Sequence, residues 1–129
     1  MSFVETLLSR PDMVHLSPAS DEDILNAEKT LGVSFATEYK EYLKRFGAVA
    51  VGPHEFTGLC SSERLNVVVV TQRERALFGS KADSLYVVED LYIDYIIIWQ
   101  ATDGTVFRSM PDGVITEVAP SLYEYMRNN

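Results

Sequence analysis

An apolar run at residues 95–99, followed closely by Asp103-Gly104, constrains the fold more than any other feature of this sequence. The run shows no polar alternation, which is typical of a strand that is buried on both faces. Asp and Gly both tolerate positive φ, so the pair indicates a tight hairpin turn. Residues 105–108 follow as the returning strand. The sequence therefore predicts an antiparallel hairpin, with Tyr95 and Trp99 on the same face of its first strand.

Two more strands and a helix accompany this hairpin in the second half of the chain. Residues 85–88 are apolar and rich in β-branched and aromatic side chains, which favours a strand. A Pro-Asp-Gly turn at residues 111–113 precedes a further strand at residues 114–118. Ser121 is then placed to cap a short closing helix. The second half is predicted to be an antiparallel meander that ends in a helix.

The first fifty residues, in contrast, predict two helices. Ser20 precedes three acidic residues, an arrangement that caps a helix and suits the positive end of its dipole. Apolar residues then recur at helical spacing until Gly32, a residue typical of a helix C-terminus. A second helix is predicted over residues 36–46 and is ended by Gly47.

Residues 66–78 fit a helix and a strand about equally well. The four consecutive valines at residues 67–70 prefer a strand. Asn66, however, is a good helix cap, and Glu74 and Leu77 continue a helical spacing that begins with the valines. Local propensity leaves both structures open.

The composition limits the kinds of protein that this chain can be. The chain has 129 residues, the usual size of one domain, and residues 1–129 show no repeat or linker, so a single domain is expected. One cysteine, Cys60, excludes an internal disulfide and a four-cysteine metal site. The longest apolar run is too short for a membrane span, and residues 1–11 lack the basic start of a signal peptide. A cytoplasmic protein with no membrane contact is expected.

The net charge limits the partners. Nineteen acidic residues against eleven basic ones give a formal charge of −8. Binding to a nucleic-acid backbone requires clustered Lys and Arg, so nucleic acid is not expected as a partner. An acidic surface permits a basic protein partner, although acidity can also serve solubility alone.

No arrangement typical of catalysis or of cofactor binding is present. His15 and His54 lie far apart and lack metal-ligand spacing, and the sequence has no phosphate-binding glycine loop. Neither catalytic residues nor a metal or cofactor are therefore predicted. A small enzyme or ligand-binding domain stays open as an alternative, and His54 facing acidic groups in a deep cleft would favour it.

One segment is notable for its charge. No Lys or Arg occurs between Lys81 and Arg108, whereas acidic residues and aromatic rings alternate there. The aromatic residues can belong to the core and the acids to turns; alternatively, the acids form a rim around exposed rings that binds a basic protein. The second interpretation gives the candidate partner-binding residues Glu89, Asp90, Tyr92, Asp94 and Asp103.

The order of these elements resembles that of the SMI1/KNR4 (SUKH) superfamily. In the first half, the resemblance rests on a helix at residues 24–32 that ends in Leu-Gly and on the acidic, Tyr and Leu pattern of residues 33–43. The dipeptides Phe46-Gly47 and Gly58-Leu59 follow. In the second half, it rests on the hairpin at residues 103–107 and the closing helix at residues 119–126. Ala36 stands where the family prefers Pro, Gly47 is followed by Ala48, and an acid-rich segment at residues 89–94 replaces a turn richer in glycine.

The resemblance implies an α+β fold. We expect two N-terminal helices, a largely antiparallel sheet in the form of a meander, a further helix after the first hairpin and a short C-terminal helix. It assigns residues 66–78 to that further helix.

The resemblance also implies a function. Many bacterial members are non-catalytic immunity proteins that bind and neutralise a cognate toxin, often a nuclease, and a basic toxin would suit this acidic chain. Other members act as regulatory scaffold proteins. We expect a monomer or a weak homo-oligomer.

Overall fold

Strands that follow one another in the sequence are also neighbours in the sheet. In the computed structural model, which describes residues 1–128, seven strands form one antiparallel sheet in the order β1 to β7. The strands are β1 (Val14–His15), β2 (Val49–Val51), β3 (His54–Phe56), β4 (Leu85–Asp90), β5 (Ile97–Ala101), β6 (Val106–Ser109) and β7 (Ile115–Ala119). The α-helices of the described residues are α1 (Phe3–Leu8), α2 (Asp21–Leu31), α3 (Thr37–Arg45), α4 (Val67–Phe78) and α5 (Leu122–Arg127). The predicted α+β class is confirmed, including the helix after the first hairpin and the short closing helix.

The two helices predicted in the first half are α2 and α3. Ser20 Oγ accepts a hydrogen bond from the Asp23 N–H at 3.0 Å, and Gly32 ends α2 with a φ of 67°. Helix α1 was not predicted from the sequence. Ser2 and Glu5 form a capping box at its start, so each satisfies a backbone N–H that the first turn leaves free.

Residues 66–78, which were ambiguous in the sequence, form the cap and body of α4. Asn66 Oδ1 accepts hydrogen bonds from two N–H groups of the first turn, at 3.0 and 3.3 Å. Thr71 Oγ1 accepts the N–H of Val87 at 2.9 Å, which joins the helix to β4. The helix implied by the family resemblance is confirmed, because the cap and the contacts with β4 outweigh the strand propensity of the valines.

Arg75 fastens α4 to its surroundings through backbone carbonyl groups. Its guanidinium donates hydrogen bonds to the carbonyl oxygens of Leu31 at 2.8 Å, Ala82 at 3.2 Å, Asp83 at 3.0 Å and Leu85 at 2.9 Å. The planar fork of arginine suits several acceptors at once. These bonds tie α4 to the end of α2 and to the start of β4, and they fix the position of its C-terminal half.

The start of α4 is fixed by a close contact between two chain segments. The Leu59 N–H donates to the carbonyl oxygen of Gly47 at 2.8 Å, and the Val67 N–H donates to that of Gly58 at 2.8 Å. A Cβ on Gly58 would collide with the carbonyl oxygen of Gly47. Glycine is therefore required where the segment after the first hairpin crosses the end of α3.

The sheet buries two apolar faces. Helices α1, α2, α3 and α5 contribute to the larger core cluster, to which β4 and β5 supply Tyr86 and Ile98. Helix α4 supplies Val70 to a smaller cluster on the other face, where it meets Val87 and Trp99. Because successive strand residues point to opposite faces, β4 and β5 are buried on both sides, as predicted for the apolar run.

The apolar run differs from the prediction at its beginning. Strand β5 begins at Ile97, and the placement of Tyr95 on the same face as Trp99 was wrong. Tyr95 has a φ of 57° and is 83% exposed. The Ile96 N–H donates to the Ile93 carbonyl oxygen at 3.1 Å, so a turn occupies the residues directly before the strand.

Tyrosine side chains with satisfied hydroxyl groups fill the centre of the larger cluster. Tyr39 and Tyr42 stack with ring centroids 5.3 Å apart, and their hydroxyls donate to the Thr57 carbonyl oxygen at 3.1 and 2.8 Å. The Tyr86 hydroxyl donates to Gln100 Oε1 at 2.8 Å and accepts the Ala36 N–H at 2.9 Å. Every one of these hydroxyls thus has a partner in the dry interior, which removes the cost of burying it.

Burial raises the pKa of these tyrosines. Desolvation of the phenolate is the largest cause of the raised pKa for Tyr39, Tyr42 and Tyr86. It is also the largest cause for Tyr125, ahead of the charge of the neighbouring Glu89. The folded protein therefore keeps four phenolic protons that the unfolded chain releases near pH 10.

Stability should consequently fall steeply in alkaline solution. A raised folded pKa gives a contribution that is complete below the unfolded pKa of about 10 and is lost as the pH rises above it. Each tyrosine should remove roughly 1.4 kcal/mol per pH unit, so the four together should remove roughly 5.6 kcal/mol per unit. Urea unfolding followed by Trp99 fluorescence, from about pH 8 to about pH 11.5, measures the slope.

The control is Tyr86→Phe, which should reduce that slope by about one quarter. A free energy of unfolding that stays level through this range would contradict the prediction.

Candidate functional site

A groove lies between the C-terminal end of α4 and the loop that joins β4 to β5. It has a volume of about 810 Å³. Its lining residues come from α4, from the end of β4 and the loop, from the start of β5 and from the turn between β6 and β7: Arg73, Glu74, Leu77, Phe78, Asp90, Tyr92, Asp94, Tyr95, Ile97, Pro111 and Gly113. We call this depression the α4 groove.

The apolar part of the α4 groove is the end of the helix together with the sheet beneath it. Phe78 packs edge-on against Trp99, with ring centroids 5.8 Å apart, and is thereby held against the smaller core cluster. Leu77 lies one residue earlier and is 75% exposed. Ile97 is buried and forms part of the floor. An exposed leucine beside a half-buried phenylalanine gives the groove an apolar surface that no described residue covers.

The loop between β4 and β5 forms the opposite wall and has an unusual backbone. Tyr92, Asp94 and Tyr95 have φ angles of 58°, 53° and 57°, and among residues 1–128 these are the non-glycine residues with positive φ. Each such residue costs of order 1 kcal/mol or more, because Cβ crowds the backbone in the left-handed region. Strain of this kind concentrates at binding and catalytic sites.

Hydrogen bonds hold the loop in this strained form. Asp90 Oδ1 accepts the Tyr92 N–H at 2.8 Å, and the Leu91 N–H donates to the Ile96 carbonyl oxygen at 3.2 Å. These bonds close the loop at its base, so its tip is presented to solvent. Ile93 is 64% exposed and Tyr92 is 57% exposed at that tip.

Arg73 links the helix wall to the loop wall. Its Nε donates to Glu74 Oε2 at 2.7 Å, and its Nη2 donates to Asp90 Oδ2 at 3.1 Å. Burial lowers the pKa of Arg73, but the hydrogen bond with Glu74 and the charges of Glu74 and Asp90 outweigh it and hold that pKa above its usual range. Arg73 is therefore a charged group with two carboxylate partners.

Asp94 is the remaining charged residue of the groove. Its side chain is exposed, and no ion pair or side-chain hydrogen bond joins it to another residue within positions 1–128. Three carboxylates against one guanidinium leave the groove with a formal charge of −2. The sign agrees with the charge of the whole chain.

A second ion pair supports the outer side of the loop. Arg64 and Glu55 form two parallel hydrogen bonds of 3.0 Å. The hydrogen bond with Glu55, followed by one with Tyr92, raises the pKa of Arg64. Among residues 1–128, the ring of Tyr95 makes no aromatic or cation–π contact.

The structure brings together three of the five residues predicted to bind a partner. Asp90, Tyr92 and Asp94 all line the α4 groove. Asp103 is exposed but lies in the hairpin beyond the other end of β5, roughly 15 Å or more from Asp94 along the strand. Glu89 is 1% exposed, so it does not reach the surface where a partner would bind.

Glu89 instead joins three parts of the interior. Its carboxylate accepts the Tyr125 hydroxyl at 2.6 Å and the Glu55 N–H at 3.2 Å, and it lies 3.0 Å from His54 Nδ1. His54 is also buried. A histidine beside a carboxylate is the arrangement that acid–base catalysis uses, but this pair lies within the core and does not line the α4 groove. Its place between β3, β4 and α5 indicates a structural role.

Residues 1–128 contain no cluster of three or more His, Cys, Asp or Glu side chains placed to hold a metal ion. None of their helices combines the length and apolar character that crossing a lipid bilayer requires.

Several groove residues carried no signal in the sequence. Leu77 continues the helical spacing of Val67 and Val70, and by that pattern alone it belongs to the buried stripe of α4. In the structure Val67 and Val70 are buried, whereas Leu77 is exposed. Arg73 and Glu74, and the turn at Pro111, likewise come next to the loop only through the fold.

The strain at Tyr95 can be measured with a pair of variants. Because glycine has no Cβ, Tyr95→Gly should be more stable than Tyr95→Ala by about 0.5–1 kcal/mol. The matched control is Glu41, an exposed residue of α3, where glycine should be less stable than alanine by about 1 kcal/mol. Urea unfolding of the four variants gives both differences. Equal stability of the two Tyr95 variants would show that the loop is not strained at this residue.

Comparison with known proteins agrees with this architecture. A family model described as SMI1-KNR4 cell-wall, of the SUKH group, matches residues 2–129. A comparison with curated proteins found no match. The match covers nearly the whole chain. The chain therefore belongs to the SMI1-KNR4 (SUKH) family.

Proposed function

We propose that this chain is a non-catalytic immunity protein that binds and neutralises a cognate bacterial toxin through the α4 groove. The observation that carries the proposal is the groove itself: an exposed apolar surface with acidic residues, one wall of which is a strained loop. Contiguous apolar surface that stays exposed is typical of sites that bind other proteins. Family membership supports the same class, because SUKH domains are generally interaction domains.

The groove suits a protein partner better than catalysis. Its lining contains no histidine, cysteine, serine or lysine that could act as a nucleophile or proton carrier. Two of its three carboxylates, Glu74 and Asp90, are already paired with Arg73. Leu77, Phe78 and Tyr95 provide rings and methyl groups of the kind that anchor protein interfaces.

The charge favours a basic partner. The chain carries −8 and the groove −2, so a positively charged surface would be drawn towards it before contact. A nuclease toxin has such a surface, because its substrate groove must attract phosphate groups. Occupation of the substrate groove by an acidic protein would block access of the nucleic acid.

The first test uses the toxin gene that is expected beside the gene of an immunity protein. The toxin domain encoded beside this chain should arrest growth when it is expressed alone, and coexpression of the chain should restore growth. The purified pair should form a complex, and the chain alone should show no hydrolytic activity. An adjacent toxin that neither binds the chain nor is neutralised by it would overturn the immunity assignment and leave the regulatory scaffold role of other family members.

The second test locates the interface. Asp94→Lys should reduce the association rate with the toxin by about 3–10-fold at low salt, and the effect should shrink at high salt because exposed charges are screened. Leu77→Ala should mainly raise the dissociation rate, by about tenfold or more, because it removes apolar contact. Stopped-flow and surface plasmon resonance measure the two rates.

Glu41→Lys is the matched control for charge. It gives the same change in net charge at an exposed site on α3, away from the α4 groove, and it should leave both rates nearly unchanged. Equal effects of the Asp94 and Glu41 variants would place the interface elsewhere.

A further inference from the structure

We propose that the α4 groove recognises an arginine or lysine side chain of its partner, flanked by apolar residues, with Asp94 and the ring of Tyr95 receiving the cation. The inference rests on the proposed function in one respect, namely that the occupant of the groove is a protein segment. It adds the chemical identity of the anchoring side chain and the residues that select it.

The first argument is the distribution of charge pairs in the groove. Arg73 is shared by Glu74 at 2.7 Å and Asp90 at 3.1 Å, so these carboxylates already have a cationic partner. Asp94 is exposed on the loop wall, and no Lys or Arg among residues 1–128 lies within ion-pair distance of it. The groove therefore presents one carboxylate that has no cationic partner among the described residues.

The second argument is the aromatic ring beside that carboxylate. Tyr95 follows Asp94 directly in the chain, lines the same groove and is 83% exposed. A guanidinium or ammonium group binds over the face of a tyrosine ring, and it binds more strongly when a carboxylate is also near. Both residues are held in left-handed backbone, so the loop keeps the ring and the carboxylate at the groove instead of relaxing.

The third argument is the apolar surface on the other side of the groove. Arginine and lysine have long apolar stems, which pack against hydrophobic surface while the charged end reaches a polar partner. Leu77, Phe78 and Ile97 supply such a surface below the loop. Apolar residues on either side of the cation in the partner would extend this contact along α4.

The same geometry disfavours an acidic segment. The only guanidinium in the groove lining, that of Arg73, is occupied by two carboxylates. An incoming Asp or Glu would meet a formal charge of −2 and would have to displace one of these carboxylates to gain a partner. The groove thus attracts a positively charged side chain of a partner and repels a negatively charged one.

The test uses three capped tripeptides that differ only in the central residue: acetyl-Phe-Arg-Phe-amide, its citrulline analogue and its glutamate analogue. Citrulline keeps the shape of arginine but has no charge. Titrations followed by ¹⁵N-resolved NMR spectra give both the affinity and the location of binding. The arginine peptide should shift the signals of residues 91–96 and of the end of α4, and it should bind about 5–10-fold more tightly than the citrulline peptide. The glutamate peptide should bind more weakly still.

Asp94→Asn removes the charge while keeping a residue that tolerates positive φ, so the fold should be retained. It should remove most of the preference for arginine over citrulline, leaving only the contribution of the Tyr95 ring, whereas Glu41→Gln, the control on α3, should leave the preference intact. Equal affinity of the three peptides for the wild-type chain, or signal shifts confined to residues outside the α4 groove, would overturn the inference.

The outcomes separate this inference from the proposed function. Binding of the arginine peptide in the groove, together with failure to neutralise the neighbouring toxin, would support the inference and overturn the immunity role. Neutralisation of the toxin with no effect of Asp94→Asn on toxin affinity or on peptide preference would support the immunity role and overturn the inference.

Discussion

The position of α4 against β4 is the constraint on which the groove depends. Arg75 donates to four carbonyl oxygens from α2, from the segment after α4 and from β4, and Thr71 accepts the N–H of Val87. Two of these bonds, to the Leu85 carbonyl oxygen and from the Val87 N–H, satisfy backbone groups of β4 itself. Strand β4 pairs with β3 at a single position, Phe56 with Glu89. The helix packs on the sheet face through Val70 and Phe78, whereas Leu77 is exposed and lines the groove together with residues of the loop between β4 and β5.

Strain and charge are concentrated on the loop side of that space. Tyr92, Asp94 and Tyr95 all have left-handed backbone, which costs several kcal/mol in sum. The core can carry this cost, because β4 and β5 are buried on both faces and pair along most of their length. Natural proteins commonly accept a loss of stability where function requires a particular geometry. A loop that holds two tyrosines and an unpaired aspartate at a groove is such a geometry.

Most of the fold could be predicted, because its signals are local. The caps at Ser20, Asn66 and Ser121, the helix end at Gly32 and the turn at Asp103-Gly104 depend on a few neighbouring residues. The site was predicted in part: Asp90, Tyr92 and Asp94 line the groove, whereas Asp103 lies at the other end of β5. Charge alone could not show that Glu89 is buried whereas its acidic neighbours line the groove. Its burial depends on His54 and Tyr125, which come from distant parts of the chain.

The sequence by itself determined helices α2 and α3, the meander formed by β4 to β7, the closing helix and the acidic charge, and the order of its motifs carried the resemblance to the SUKH family. It determined these because hydrophobic period, capping residues, turn residues and composition act over short distances along the chain. For residues 67–78, local propensity left helix and strand open, and the contacts with β4 decided for the helix that the family resemblance had implied. Only the tertiary structure decided that Tyr95 leaves the strand, that Glu89 is buried and that Leu77 is exposed. Each of these depends on which distant residues occupy the neighbouring space, and that information arises only when the sheet and the helices have packed together.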